Sequence, residues 1–123
     1  MLDFVACRVA ELAVTDWELV PFGAELVGAA KPYHWDVTRR SVLQAELDSL
    51  FFLLYGLDRD DVAWVLDSFT VLEKYERRDL GEFRTKRLVL EVFDAMADAI
   101  RVGTSYVSRL DPPPGDPALQ VDA

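Results

Sequence analysis

The sequence predicts an all-α protein, a single small domain of four to five helices with an extended proline-rich tail. Three observations predict it. Apolar residues recur at helical spacing over several stretches, and aspartates and glycines stand where helix ends need them. Strand-like alternation is thin, with Val71-Leu72 and Thr104 to Val107 the only candidates.

Taken in order, the first helix spans about residues 2–14, where Asp3, Arg8 and Glu11 interrupt an apolar stretch. That spacing suits an amphipathic helix rather than a signal peptide or membrane span. Asp16 caps a shorter helix beyond it. Between Asp36 and Gly56, apolar positions fall at Val42, Leu43, Leu47, Leu50, Phe51 and Leu54, close to one helix face. Asp36 or Thr38 can accept from the free N–H groups of the first turn, and Gly56 can end the helix in the left-handed conformation. The run Leu50 to Tyr55 is apolar all round, so this helix end is expected at the centre of the core.

Asp58 reads as the N-cap of a short helix with Asp60 and Asp61 in its first turn and Val62, Val65, Leu66 and Phe69 as its buried stripe. Residues 68–80 mix charged and apolar positions without clear period and read as a less regular segment. A last helix is expected from Gly81 or Glu82 to Arg101, with Leu88, Val92, Met96 and Ile100 in one stripe and Gly103 as its stop. The segment Asp111 to Pro117 holds four prolines and cannot continue a helix. The expected organisation is therefore a helical domain over 1–108 and a flexible tail over 109–123.

Composition bounds the function. At 123 residues the chain fits one domain with a modest core, and 51% apolar residues with 28% charged are globular proportions. The lone Cys7 excludes an internal disulfide and, with no secretory signal in view, points to a reducing cytoplasm. A net charge of −9 repels phosphate at long range, so any nucleic-acid contact must be local or rest on a basic partner.

Against that balance, six of the thirteen basic residues lie between Lys74 and Arg87: Lys74, Arg77, Arg78, Arg84, Lys86 and Arg87. Arg84 and Arg87 are three apart, so one edge of the last helix and the segment before it could face a DNA backbone. Equally, Arg84, Lys86 and Arg87 could pair with Asp79, Glu82 and Glu91, or with Asp58, Asp60 and Asp61, as a solvated or domain-facing surface. Both readings stay open on composition.

Other chemistry is weaker. His34 stands between Tyr33 and Trp35 with no second ligand at metal spacing, so it reads as an anchoring or packing residue. Asp58, Asp60 and Asp61 lack the glycine and terminal glutamate of a calcium loop and read as helix capping. Glu82 and Lys86, four apart, have the geometry of a surface ion pair rather than, with Asp79, a nuclease centre. Cys7 has only Arg8 as a basic neighbour and reads as packing. No glycine-rich phosphate loop occurs. The expectation is a chain without catalytic, cofactor or metal residues of its own.

Several pieces of the chain, in order, resemble a known family. They are Trp35-Asp36 with Arg39-Arg40, Ala45-Glu46-Leu47-Asp48, Leu54-Tyr55-Gly56-Leu57 and Arg59-Asp60-Asp61-Val62. Then come Leu66-Asp67 with Phe69, Gly81-Glu82-Phe83-Arg84-Thr85-Lys86-Arg87-Leu88, Leu90-Glu91 with Asp94-Ala95-Met96, and Arg109-Leu110-Asp111-Pro112-Pro113-Pro114. This run, from about Trp17 to Asp116, resembles the C-terminal end of adenine-specific DNA methyltransferases of single-chain restriction–modification and related phage-defence systems. Thr70 departs from the proline of that pattern, and Leu72 to Leu80 is less basic than its usual form. The resemblance implies a non-catalytic part of a larger enzyme, with a methyltransferase or restriction subunit as partner and DNA backbone contact through the six basic residues. The methyltransferase catalytic motif is an Asn or Asp, two prolines and an aromatic ring that stacks on a flipped adenine. Asp111-Pro112-Pro113-Pro114 has no such ring. The competing expectation is an acidic protein-interaction module that never touches DNA.

Overall fold

The computed structural model describes residues 2–28 and 31–121. Its described residues form six α-helices, two short 3-10 turns and no strand, so the chain is all-α with more helices than the four to five expected. They are α1 (Leu2–Ala13), α2 (Val20–Val27), α3 (Val37–Leu54), α4 (Arg59–Asp67), α5 (Thr70–Leu80) and α6 (Arg84–Val102). Among the described residues, no helix is long and apolar enough to cross a membrane. The chain divides into two compact units, one of Met1–Gln44 with Ser108–Ala123 and one of Ala45–Val107.

The first unit is built on α1 and the segments that return to it. Ala10 and Val14 are fully buried with Tyr33, and Val20, Leu26 and Leu119 pack against them. Asp16 accepts from the Glu18 N–H at 2.8 Å and opens the 3-10 turn Trp17–Leu19 that leads into α2. Asp36 accepts from the Arg39 N–H at 3.0 Å and caps α3.

The C-terminal segment departs from the expected flexible tail. The Tyr33 hydroxyl donates to the Gly115 carbonyl at 2.8 Å, and the Val121 N–H donates to the Pro32 carbonyl at 2.8 Å. His34 N–H donates to Leu119 carbonyl at 2.9 Å, and Tyr33 and Gln120 form an isolated antiparallel bridge. Prolines removed the helix option but also left few conformations to lose, so a handful of long-range bonds can fix the segment. Burial pushes the Tyr33 phenol above its ordinary range.

The second unit is organised by α6, whose buried side of Leu88, Val89, Val92, Phe93 and Met96 extends the expected stripe. Ile100, expected in that stripe, is exposed. Helix α4 packs on α6 through buried Val62 and Leu66, and Arg59 bonds Asp94 across the two helices at 3.1 Å. Phe69, also expected in the buried stripe of α4, is exposed. Ser49 is fully buried, and its hydroxyl donates to the Val89 carbonyl at 3.1 Å. Buried Glu46 receives the Tyr106 hydroxyl at 2.6 Å.

Two expectations fail here. The buried part of α3 is Val42 to Ser49, while Phe51, Leu54 and Tyr55 at its end are exposed, Tyr55 at 82%. An apolar run with no polar face marks a core only if neighbours cover every side, and here they do not. The segment 68–80 is a regular helix, and Val71-Leu72 lies within it rather than in a strand. Helix α5 has no fully buried residue, so no apolar period betrays it. Local devices hold it instead: the Glu73–Arg77 pair one turn apart and Gly81, whose φ of 77° closes the helix. Thr70 is the first residue of α5, the position at which a proline is tolerated, so the departure from the family pattern leaves the helix intact.

Candidate functional site

The six basic residues of the island fall on α5 and the first turn of α6, all in the second unit. Helix α6 starts at Arg84 rather than Glu82 because Gly81 ends α5 and Phe83 occupies the turn. Phe83 has no side chain to cap the helix, and Glu76 of α5 does so from outside. Its carboxylate accepts from the Thr85 N–H at 2.8 Å and from the Thr85 hydroxyl at 2.7 Å, placing negative charge at the positive end of α6.

Around that junction, carboxylates answer most of the cations. Arg87 donates to Glu82 at 2.9 Å and to Glu91 at 3.2 Å, and Arg84 lies 3.7 Å from Glu82. The hydrogen bond from Arg87 holds the Glu82 carboxyl below the usual carboxylate range, and the same bonds push the Arg87 guanidinium up. Lys86 pairs with Asp67 at 2.6 Å rather than with Glu82. Arg77 pairs with Glu73 at 2.7 Å, and Arg78 pairs with Asp79 at 2.8 Å while lying over the Tyr75 ring. Among the described residues, Lys74 makes no ion pair.

The two readings of the island are thus joined on one surface. Arg84, Lys86 and Arg87 are drawn into carboxylate pairs, two of them with the Glu82 and Glu91 expected from spacing. Arg77 and Arg78 keep more than half of their side-chain surface exposed, at 60% and 63%. Exposed pairs of this kind exchange at little cost, so these guanidiniums remain able to meet another anion.

Asp58, Asp60 and Asp61 sit where capping puts them. Asp58 accepts from the Asp61 N–H at 2.9 Å, Asp61 accepts from the Asp58 N–H at 3.2 Å, and the capping box is complete. Asp60 is exposed beside it. No group of three or more His, Cys, Asp or Glu side chains gathers among the described residues as a metal ion would require. His34 is anchored by its backbone while its side chain is exposed. The Arg8 guanidinium lies 3.6 Å from the Cys7 Sγ and 3.5 Å over the Phe4 ring. The Pro112 carbonyl of the triple-proline segment serves structure, accepting from Arg39 at 2.7 Å.

Apolar exposure is the part of this surface that sequence reasoning missed. Trp64 on α4 is 75% exposed, and Phe69, Val71, Leu72 and Tyr75 follow it along the chain, all exposed. Ser68 to Leu72 line an open groove of about 400 Å³ where α4 gives way to α5. No signal in the sequence marks this surface, because residues 68–80 lack an apolar period and that pattern reads as an irregular segment rather than a helix. The chain matches no protein-family model, no curated protein and no solved structure.

Proposed function

We propose that this chain is a non-catalytic helical module similar to the C-terminal part of a DNA adenine methyltransferase or restriction–modification enzyme. It would work in the cytoplasm, holding the target-recognition half in place or joining subunits, and would do no chemistry itself. One observation carries the reading: the residues that make up the resemblance are those that hold the fold together. Arg39 grips Glu11, Glu46 receives Tyr106, Gly56 turns the chain at a φ of 76°, Asp61 closes a capping box, Thr85 binds Glu76 and Asp94 pairs with Arg59. A pattern made of caps, turns and internal bonds marks a scaffold, whereas a catalytic pattern converges on a cleft.

Assembly is favoured over direct DNA contact because five of the six cations of the island, all but Lys74, already face a carboxylate. The alternative is an acidic protein-interaction module with no place in DNA modification, favoured by the net charge of −9 and the exposed apolar residues around Trp64. A chimera separates the two. An adenine methyltransferase of the resembling class, with its own C-terminal helical region replaced by this chain, is expected to keep methylating its target sites where simple deletion abolishes methylation. A folded chimera as inactive as the deletion contradicts the reading and leaves the interaction module.

A further inference from the structure

Charges within the second unit are satisfied locally with two exceptions among the described residues. Arg59 pairs with Asp94, Lys86 with Asp67, Arg77 with Glu73, Arg78 with Asp79, Arg87 with Glu82 and Glu91, and Arg101 with Asp98. Asp58 and Asp61 bond each other's backbone, and Glu76 bonds Thr85. The two left over are Asp60 on α4 and Lys74 on α5, which carry opposite charge.

Each of the two stands beside exposed apolar surface. Trp64 follows Asp60 by one helical turn, so a carboxylate and an indole share one face of α4. On α5, Val71 and Lys74 are three apart, Val71 and Tyr75 four apart, and Lys74 and Arg78 four apart, giving a base-and-tyrosine stripe. The two helices are consecutive, joined only by Ser68 and Phe69, and the apolar groove of Ser68 to Leu72 lies at their junction. One short stretch of chain thus presents two stripes that match in apolar character and are opposite in sign.

We propose that this surface pairs with the same surface of a second copy of the chain. The Asp60–Trp64 stripe of one copy lies on the Lys74–Tyr75 stripe of the other, and the reverse, so every contact is made twice, as a two-fold interface requires. Sign decides the occupant. Nucleic acid would suit α5 alone and would be repelled by Asp58, Asp60 and Asp61 on α4. A second copy supplies a base for the unpaired acid and an acid for the unpaired base while covering Trp64 and Tyr75. The exposed Arg78–Asp79 pair costs little to rearrange, so Arg78 can join Lys74 in facing the partner's acids. This inference is independent of the function proposed above, since a module of either kind could pair in this way.

The test is sedimentation velocity of the full chain from ~1 µM to ~200 µM, the range in which a micromolar dimer appears. The wild type is expected to shift from monomer to dimer, with the midpoint moving to higher protein concentration as salt rises. D60K alone and a K74E/R78E double variant alone are each expected to be monomeric with unchanged circular dichroism. An equimolar mixture of the two is expected to dimerise again, because each reversed stripe then meets its complement. W64A should weaken self-association at least tenfold. A wild type that stays monomeric throughout, including one that instead binds duplex DNA, overturns the proposal. So does a dimer indifferent to both reversals, or reversed variants that fail to recover on mixing.

Discussion

Replacing Glu11 by alanine is expected to destabilise the first unit by about 3–5 kcal/mol, enough to leave a small unit largely unfolded. Glu11 lies on the third turn of α1, buried, and takes two hydrogen bonds from Arg39, at 2.8 and 3.0 Å. It also accepts from the Gly115 N–H at 3.1 Å, so one carboxylate joins α1, α3 and the C-terminal segment. Side-chain exposure of 11% for Arg39 and 4% for Glu11 puts the pair out of reach of solvent screening. Removing the carboxylate leaves a guanidinium desolvated and a backbone N–H without its acceptor. Chemical denaturation followed by circular dichroism measures the loss. A control gives the mechanism: Glu11→Met combined with Arg39→Met should recover most of the stability, because the buried charge goes with its partner. If E11A costs under about 1 kcal/mol, the pair is not the joint described.

Gly115→Ala is the second large effect, expected at about 2–4 kcal/mol from backbone strain and overpacking together. Gly115 holds φ at 77°, where an L side chain is strained. A Cβ there would stand 2.7 Å from the Cys7 Cβ and 3.2 Å from the Cys7 Cα and carbonyl oxygen. Those neighbours belong to α1 and cannot step aside as a flexible side chain would. The segment should lift from α1, taking with it the bonds of Gly115 to Tyr33 and Glu11. Limited proteolysis reports this directly, with faster cleavage near Pro113 to Ala118 in the variant than in the wild type. Equal cleavage rates would mean that the segment does not depend on this close approach.

These two sites also mark the limit of what the sequence made legible. Helix ends were readable because their signals are local: Asp16, Asp36 and Asp58 each bond an N–H two or three residues away, and Gly56 and Gly103 take positive φ where the helices stop. The C-terminal segment reads as a free tail because what fixes it lies far away in the chain. Gly115 meets residues 82 and 104 positions earlier, and no window of sequence shows such pairs. Arg8 and Glu11 read as interruptions of an amphipathic α1, yet both are buried: Arg8 donates to the Phe4 carbonyl one turn back, while Glu11 is held by Arg39, a partner that spacing cannot reveal.

In the second unit the difficulty was of another kind. Periodicity finds helices through their buried face, and α5 has no fully buried residue to repeat. Apolar content at Leu50 to Tyr55 suggests depth, yet Phe51, Leu54 and Tyr55 are exposed surface. The basic island was half legible: spacing offered Glu82 and Glu91, with Asp79, to Arg84, Lys86 and Arg87, and Arg87 takes the first two. Lys86 pairs with Asp67 rather than Glu82, across α4 and α6, and that needed the fold. A run of cations in an acidic chain carries information only once its neighbours are known.

On the proposed function, this island belongs to a scaffold rather than to a phosphate-binding face. Fluorescence anisotropy with a labelled duplex, over a salt series beginning at ~50 mM, tests it most directly, since each neutralised phosphate adds about −0.9 to the slope of log K against log salt. The wild-type chain and an R84E/R87E variant are expected to behave alike, with no binding tighter than ~100 µM at the lowest salt. Tight wild-type binding with a slope near −3 or steeper, lost on reversing Arg84 and Arg87, would contradict it.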